Sequence, residues 1–163
     1  MFPEIKTIVY ASDLGQHTRP VFQHAIALAQ KFEAKIVVVH VMEPLGVSAQ
    51  AIIDSYLPEG SYAELHQEGF AKSRALMKER DEKACEEELG VSADESQLID
   101  SIEVLEGFPA QAIYDLAKQR GAQMIVMGAH GHSRLGEWFI GSTARKLTHM
   151  SKIPVLLVPT EDD

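Results

Sequence analysis

The residues best equipped for chemistry lie in one stretch, Gly128-Ala129-His130-Gly131-His132-Ser133-Arg134-Leu135-Gly136-Glu137-Trp138-Phe139-Ile140-Gly141-Ser142-Thr143. It follows an apolar run, Met124 to Met127, that reads as a buried strand, and it enters Ala144 to Met150, which reads as a helix. A strand, a glycine-bearing loop and a helix N-terminus together form an anion site. Glycine lets the backbone approach a phosphate closely, and the N–H groups of the first helical turn point at it. Ser142 and Thr143 add hydroxyls that either cap the helix or hydrogen-bond phosphate oxygens. Arg134, Arg145 and Lys146 offer charge, and Arg134, inside the loop, is the better placed. No Lys follows Gly141, so this is not a Walker A loop, and the spacing differs from the dinucleotide fingerprint. Its spacing is G-x2-G-x9-G-[ST].

Other chemistries fit less well. His130 and His132, with His17 and His40 elsewhere, invite a metal, but two histidines one residue apart without a third ligand fall short of a zinc pattern. His130 is better suited to the ribose and phosphates, and magnesium or manganese would enter with the nucleotide, held largely by phosphate oxygens and water. Ser142 as a nucleophile lacks a Gly-x-Ser-x-Gly elbow and an assignable base. No protein metal site and no catalytic residue are expected. Trp138, Phe139, Leu135 and Ile140 read as anchors that pack the loop against the protein.

The elements that must position this loop alternate between strands and helices. Ile5 to Ala11 is a β-branched run ending in Ser12-Asp13. Val21, Ala25, Leu28, Ala29 and Phe32 share one helical face, with Pro20 in the first turn. Ile36 to Met42 is apolar except for His40, as suits a strand covered on both faces. Ser101 to Leu105 alternates and reads as an edge strand. Gly107-Phe108-Pro109 opens a helix carrying Ile113, Leu116 and Ala117, which Gly121 ends. Strand four, the glycine loop, a helix and a fifth strand, Ile153 to Val158, complete the chain. Alternation of this kind predicts a doubly wound α/β sheet with helices on both faces. The segment from Glu43 to Glu68, with two prolines and two interior glycines, reads as a lid or irregular insertion, Ala49 to Tyr56 forming a helical turn. A long charged helix, roughly Tyr62 to Leu89, follows it.

Bulk properties restrict the function. The 163 residues suit a single domain, with 45% hydrophobic and 24% charged residues. A formal charge of −9 argues against general binding of nucleic acid or anionic membrane, while leaving room for one nucleotide held by local N–H groups. One cysteine, Cys85, builds no internal disulfide and suits a reducing compartment. Met1-Phe2-Pro3-Glu4-Ile5-Lys6 lacks the features of a signal peptide, and no apolar run approaches a membrane span. A cytoplasmic protein is expected.

The G-x2-G-x9-G-[ST] spacing, with its strand before and Ser142-Thr143 after, resembles the ATP-binding signature of the universal stress protein family. The resemblance extends over nearly the whole chain, as one domain over residues 1–163 with a variable insertion at about 43–68. It implies five parallel strands in the order 3-2-1-4-5. Strands one and four then meet at the centre where the chain reverses, and ligands bind at such switch points beyond the carboxyl ends of the strands. The resemblance further implies an ATP site whose contacts are Ala11, Ser12, Asp13, Val41, Met127, Gly128, His130, Gly131, Arg134, Gly141, Ser142 and Thr143. Asp13 is expected at the adenosine end, because its carboxylate would be repelled by phosphates; Val41 is expected to meet adenine through its main chain. Gly15 stands where many members carry Ser, which removes one hydroxyl from the first loop. A homodimer through the C-terminal strand is also implied. The expected function is a nucleotide-dependent regulatory module in a stress response, with a regulatory protein partner. The alternative is a slow ATP hydrolase or autophosphorylating enzyme.

Overall fold

Ile8, Val9 and Tyr10 are each at most 2% exposed, so the first strand is sealed on both faces and must be central. The computed structural model describes residues 2–12, 18–44, 46, 51, 55–56, 64, 66–72, 75–76, 79, 93–129 and 140–160. Within them the elements are β1 (Thr7–Ala11), α1 (Thr18–Phe32), β2 (Lys35–Met42), α2 (Ala93–Ser96), β3 (Ile99–Glu106), α3 (Pro109–Gln119), β4 (Met124–Gly128), α4 (Ser142–Met150) and β5 (Val155–Val158). The five strands form one sheet in the order β3-β2-β1-β4-β5, and every pairing is parallel. This is the order expected, with β1 and β4 adjacent where the winding reverses.

Period-two alternation assigns the two faces. Ile8 and Tyr10 of β1, Ile36 and Val38 of β2 and Val126 of β4 pack with Val21, Phe22, Ala25, Ile26 and Ala29 of α1. The rings of Tyr10 and Phe22 lie 5.1 Å apart, tilted by 53°. On the opposite face Val9, Val37, Val39, Ile125 and Met127 pack with Ile113, Leu116 and Ala117 of α3 and Ala144 and Leu147 of α4. The buried stripe of α1 differs from the expected one. Phe22 and Ile26 are buried, whereas Phe32, the last residue of α1, is 40% exposed.

The β1–β4 register is set at the amino ends of the strands. The Gln123 side-chain carbonyl accepts from the N–H groups of Lys6 and Thr7 at 2.8 and 2.9 Å, and the Gln123 N–H donates to the Thr7 carbonyl at 3.0 Å. That bracket brings Ala11 opposite Met127 at the other end. β3 is an edge strand, as its alternation predicts, but it is longer than Ser101 to Leu105. It carries Asp100 as an extra residue where the register shifts between Ile36↔Ile99 and Val37↔Ser101. α3 begins with Pro109 in its first turn and closes in a Schellman motif, Gly121 at φ 62° donating to Lys118 O and Ala122 to Ala117 O. Residues 51, 55–56, 64, 66–72, 75–76 and 79 are helical, as expected for parts of the Ala49 to Tyr56 and Tyr62 to Leu89 stretches. The remainder of those two stretches, and Cys85, lie outside the described residues.

Candidate nucleotide site at the carboxyl edge of the sheet

Parallel strands deliver all their carboxyl ends to one edge, and here the ends of β1, β2 and β4 converge. Ala11 lies in register with Val39 on one side and Met127 on the other. Just beyond it, the Ser12 N–H donates to the Val39 carbonyl at 2.9 Å. Ala11 and Ser12 are half-buried, Met127 is buried and Gly128 is half-buried. The structure therefore brings together four of the expected contacts, Ala11 and Ser12 at the end of β1 and Met127 and Gly128 at the end of β4.

Val41 lies two residues past Val39. Backbone groups alternate in direction along a strand, so its N–H and C=O point the same way as those of Val39, toward the β1 side. Its side chain packs against the α3/α4 core.

The third part is α4. Its N-cap is Gly141, with φ −53° and ψ 152°, and no side chain caps it. Ser142 and Thr143 are thus the first two residues of the helix rather than its caps, Ser142 exposed and Thr143 half-buried. The Gly141 N–H donates to the Ala129 carbonyl at 2.8 Å, and the Ala129 N–H donates to Val158 O at 2.8 Å. The first bond joins the two ends of the glycine loop and seats the start of α4 directly beyond β4. It also uses the Gly141 N–H. The donors left for an anion are then those of the first helical turn, Ser142, Thr143 and Ala144, which have no carbonyl four residues earlier within the helix. That turn contains no acidic side chain to offset the positive end of the helix dipole.

The side-chain position of Gly128 faces away from the start of α4 and into the packing around α1. A Cβ on it would meet Val21 Cγ2 at 3.5 Å and Thr160 Cγ2 at 3.7 Å, ordinary packing distances against α1 and the chain following β5. Asp13, His130, Gly131, Arg134 and the loop anchors Leu135, Trp138 and Phe139 lie outside the described residues. Ile140, also read as an anchor, is 51% exposed. Among the described residues no group of three or more His, Cys, Asp or Glu side chains could hold a metal ion.

One residue at this edge was not assigned a role from the sequence. His40 Nδ1 lies 2.9 Å from the Ser12 carbonyl oxygen. The available signal was that His40 is the lone polar residue in an apolar strand, and a polar group in such a strand must find a partner.

The family model for the universal stress protein family matches residues 4–159. The chain belongs to the universal stress protein family. A relative in the family, the universal stress protein in the QAH/OAS sulfhydrylase 3′ region of Thermus aquaticus, is 35% identical over 156 residues, covering 94% of this chain and 98% of its own. Two solved structures share the fold. A universal stress protein in complex with cAMP has a TM-score of 0.57 at 20% identity, covering 98% of this chain and 100% of its own. The universal stress protein from Archaeoglobus fulgidus in complex with dAMP has a TM-score of 0.52 at 18% identity, with coverages of 98% and 100%.

Proposed function

We propose that this universal stress protein is an ATP-binding regulatory module of a stress response. The observation that carries the reading is the Gly141 N–H to Ala129 C=O bond, which seats the uncapped, acid-free start of α4 beyond β4 and one strand away from the end of β1. Phosphates fit that helix start through the Ser142, Thr143 and Ala144 N–H groups, the two hydroxyls and the Arg134 side chain. Gly131 and His130 belong to the loop that begins and ends at the same bond. The adenosine half fits between the β1 and β2 ends, with the Val41 main chain at the base and Asp13 at the ribose. Two proteins of the same fold hold adenine nucleotides, cAMP in one and dAMP in the other, which supports adenine as the base. The donor set is suited to phosphate rather than to a cation, so magnesium or manganese would be carried by the phosphates. The full reading is a cytoplasmic homodimer, joined through β5, whose nucleotide state is read by a regulatory protein partner.

Acid extraction of freshly purified native protein, followed by chromatography, tests the ligand. ATP is the nucleotide expected. Protein that yields no nucleotide and also gives no calorimetric response to added ATP would overturn the reading.

A further inference from the structure

We propose that His40 is a positioning residue for the adenosine half of this site; the inference rests on the nucleotide-binding reading above. A carbonyl oxygen only accepts, so the 2.9 Å contact between His40 Nδ1 and Ser12 O requires the proton on Nδ1. The partner thereby decides the tautomer. Ser12 is consequently held twice by consecutive residues of β2. Its N–H donates to the Val39 carbonyl at 2.9 Å in the plane of the sheet, and its C=O accepts from the His40 ring. His40 alternates onto the same face as Ile36 and Val38, the face covered by α1, and reaches Ser12 from that side.

The second bond has a consequence that the first does not. The Ser12 carbonyl belongs to the planar peptide unit from which Asp13 departs, so fixing that oxygen fixes the plane. β2 also contributes Val41, the next residue after His40. One strand therefore carries the main-chain contact expected for adenine and holds Ser12, itself an expected contact, by both of its backbone groups. His40 keeps those two contacts in register with each other and has no part at the phosphate end, which is held by β4 and α4.

Three measurements test this on the full-length protein. In wild type, the ¹⁵N and ¹H resonances of the imidazole should show a protonated, exchange-protected Nδ1; an unprotonated Nδ1 overturns the tether. His40→Phe removes the donor and should weaken adenosine and ATP alike, by about tenfold, the upper end of the scale for losing one well-aligned hydrogen bond. His40→Asn places a donor N–H at the same number of bonds from Cα and should restore both affinities to within about threefold. Wild-type affinity in a folded His40→Phe variant, or a loss confined to ATP, overturns the role. Should wild type bind no nucleotide, the functional reading fails, and the Nδ1 resonance together with amide exchange at Ser12 in His40→Phe still decides the tether. Faster Ser12 exchange in that variant supports it, and unchanged exchange overturns it.

Discussion

Gly128 and Gly141 stand in one spacing pattern yet sit in different surroundings. Gly141 has φ and ψ that any residue adopts, and its N–H is spent on Ala129, so nothing in its conformation demands glycine. What requires it, on the proposed reading, is the absence of a side chain where phosphate meets the helix. Gly141→Val should fold normally and bind ATP at least about tenfold more weakly, the scale for lost charge-assisted hydrogen bonds. Calorimetry on the folded variant that returns wild-type affinity would remove Gly141 from the site. Gly128→Ala should behave in the opposite way. Its methyl enters ordinary contact with Val21 and Thr160, so stability should change by less than about 1 kcal/mol and ATP affinity should persist. Urea denaturation and the same titration check both halves.

Helix ends determine where each chain reversal points. α1 and α3 end in the same hydrogen-bond pattern. Ala34 donates to Ala29 O and Glu33 to Gln30 O in α1, as Ala122 and Gly121 do to Ala117 O and Lys118 O in α3. The left-handed position is Gly121 in α3, at φ 62°, but Glu33 in α1, at φ 53°. A residue with a Cβ is strained there by about 1–2 kcal/mol, and the backbone freedom that glycine loses on folding offsets part of any relief. Glu33→Gly should therefore stabilise the protein by about 0.5–1 kcal/mol, and Gly121→Ala should destabilise it by a similar or larger amount. Thermal unfolding of the pair decides. A Glu33→Gly variant that melts below wild type would show that the exposed Glu33 side chain contributes more than the strain costs.

At the scale of the whole molecule, the two edges of the sheet are protected differently. β3 carries Asp100, Glu103 and Glu106, and Arg120 of the α3 C-terminus pairs with both Asp100 and Glu103. Charges of this kind discourage edge-to-edge pairing. β5 reads Val155-Leu156-Leu157-Val158, without a charge, and its first three residues remain half-buried. An apolar edge of that kind is complete when a two-fold copy covers it. The proposed dimer should appear in light scattering at micromolar concentration, and a monomer there would refute it. Leu157 packs toward α3 and α4 while Leu156 packs toward α1, so Leu156→Asp and Leu157→Asp report on opposite faces of the strand. Whichever face enters the interface, its variant should shift the dimer toward monomer. No Lys follows Gly141, and the sequence offers no assignable base, so isolated protein should hydrolyse ATP far more slowly than about 1 per second. Phosphate release at that rate or faster, lost in Gly141→Val, would demand an enzymatic reading.

The sequence by itself determined the five strands and the helices α1, α3 and α4 in their order, but not the short α2. Nearly continuous apolar runs such as Ile36 to Met42 suit a strand covered on both faces, and Pro109 and Gly121 mark helix ends by what their backbones permit. The edge character of β3 was legible in its alternation for the same reason. The strand order 3-2-1-4-5 came through the family spacing, since local periodicity carries no record of which strands become neighbours. Only the tertiary structure decided what each residue at the crevice does, because hydrogen-bond partners are set across strands that are distant in sequence. It assigned the Gly141 N–H to Ala129, turned Gly128 toward Val21 and Thr160, buried Phe22 and Ile26 in place of Phe32, and joined His40 to Ser12, 28 residues away. A lone histidine in an apolar strand announces that it must have a partner; which partner depends on the strand that folding places beside it.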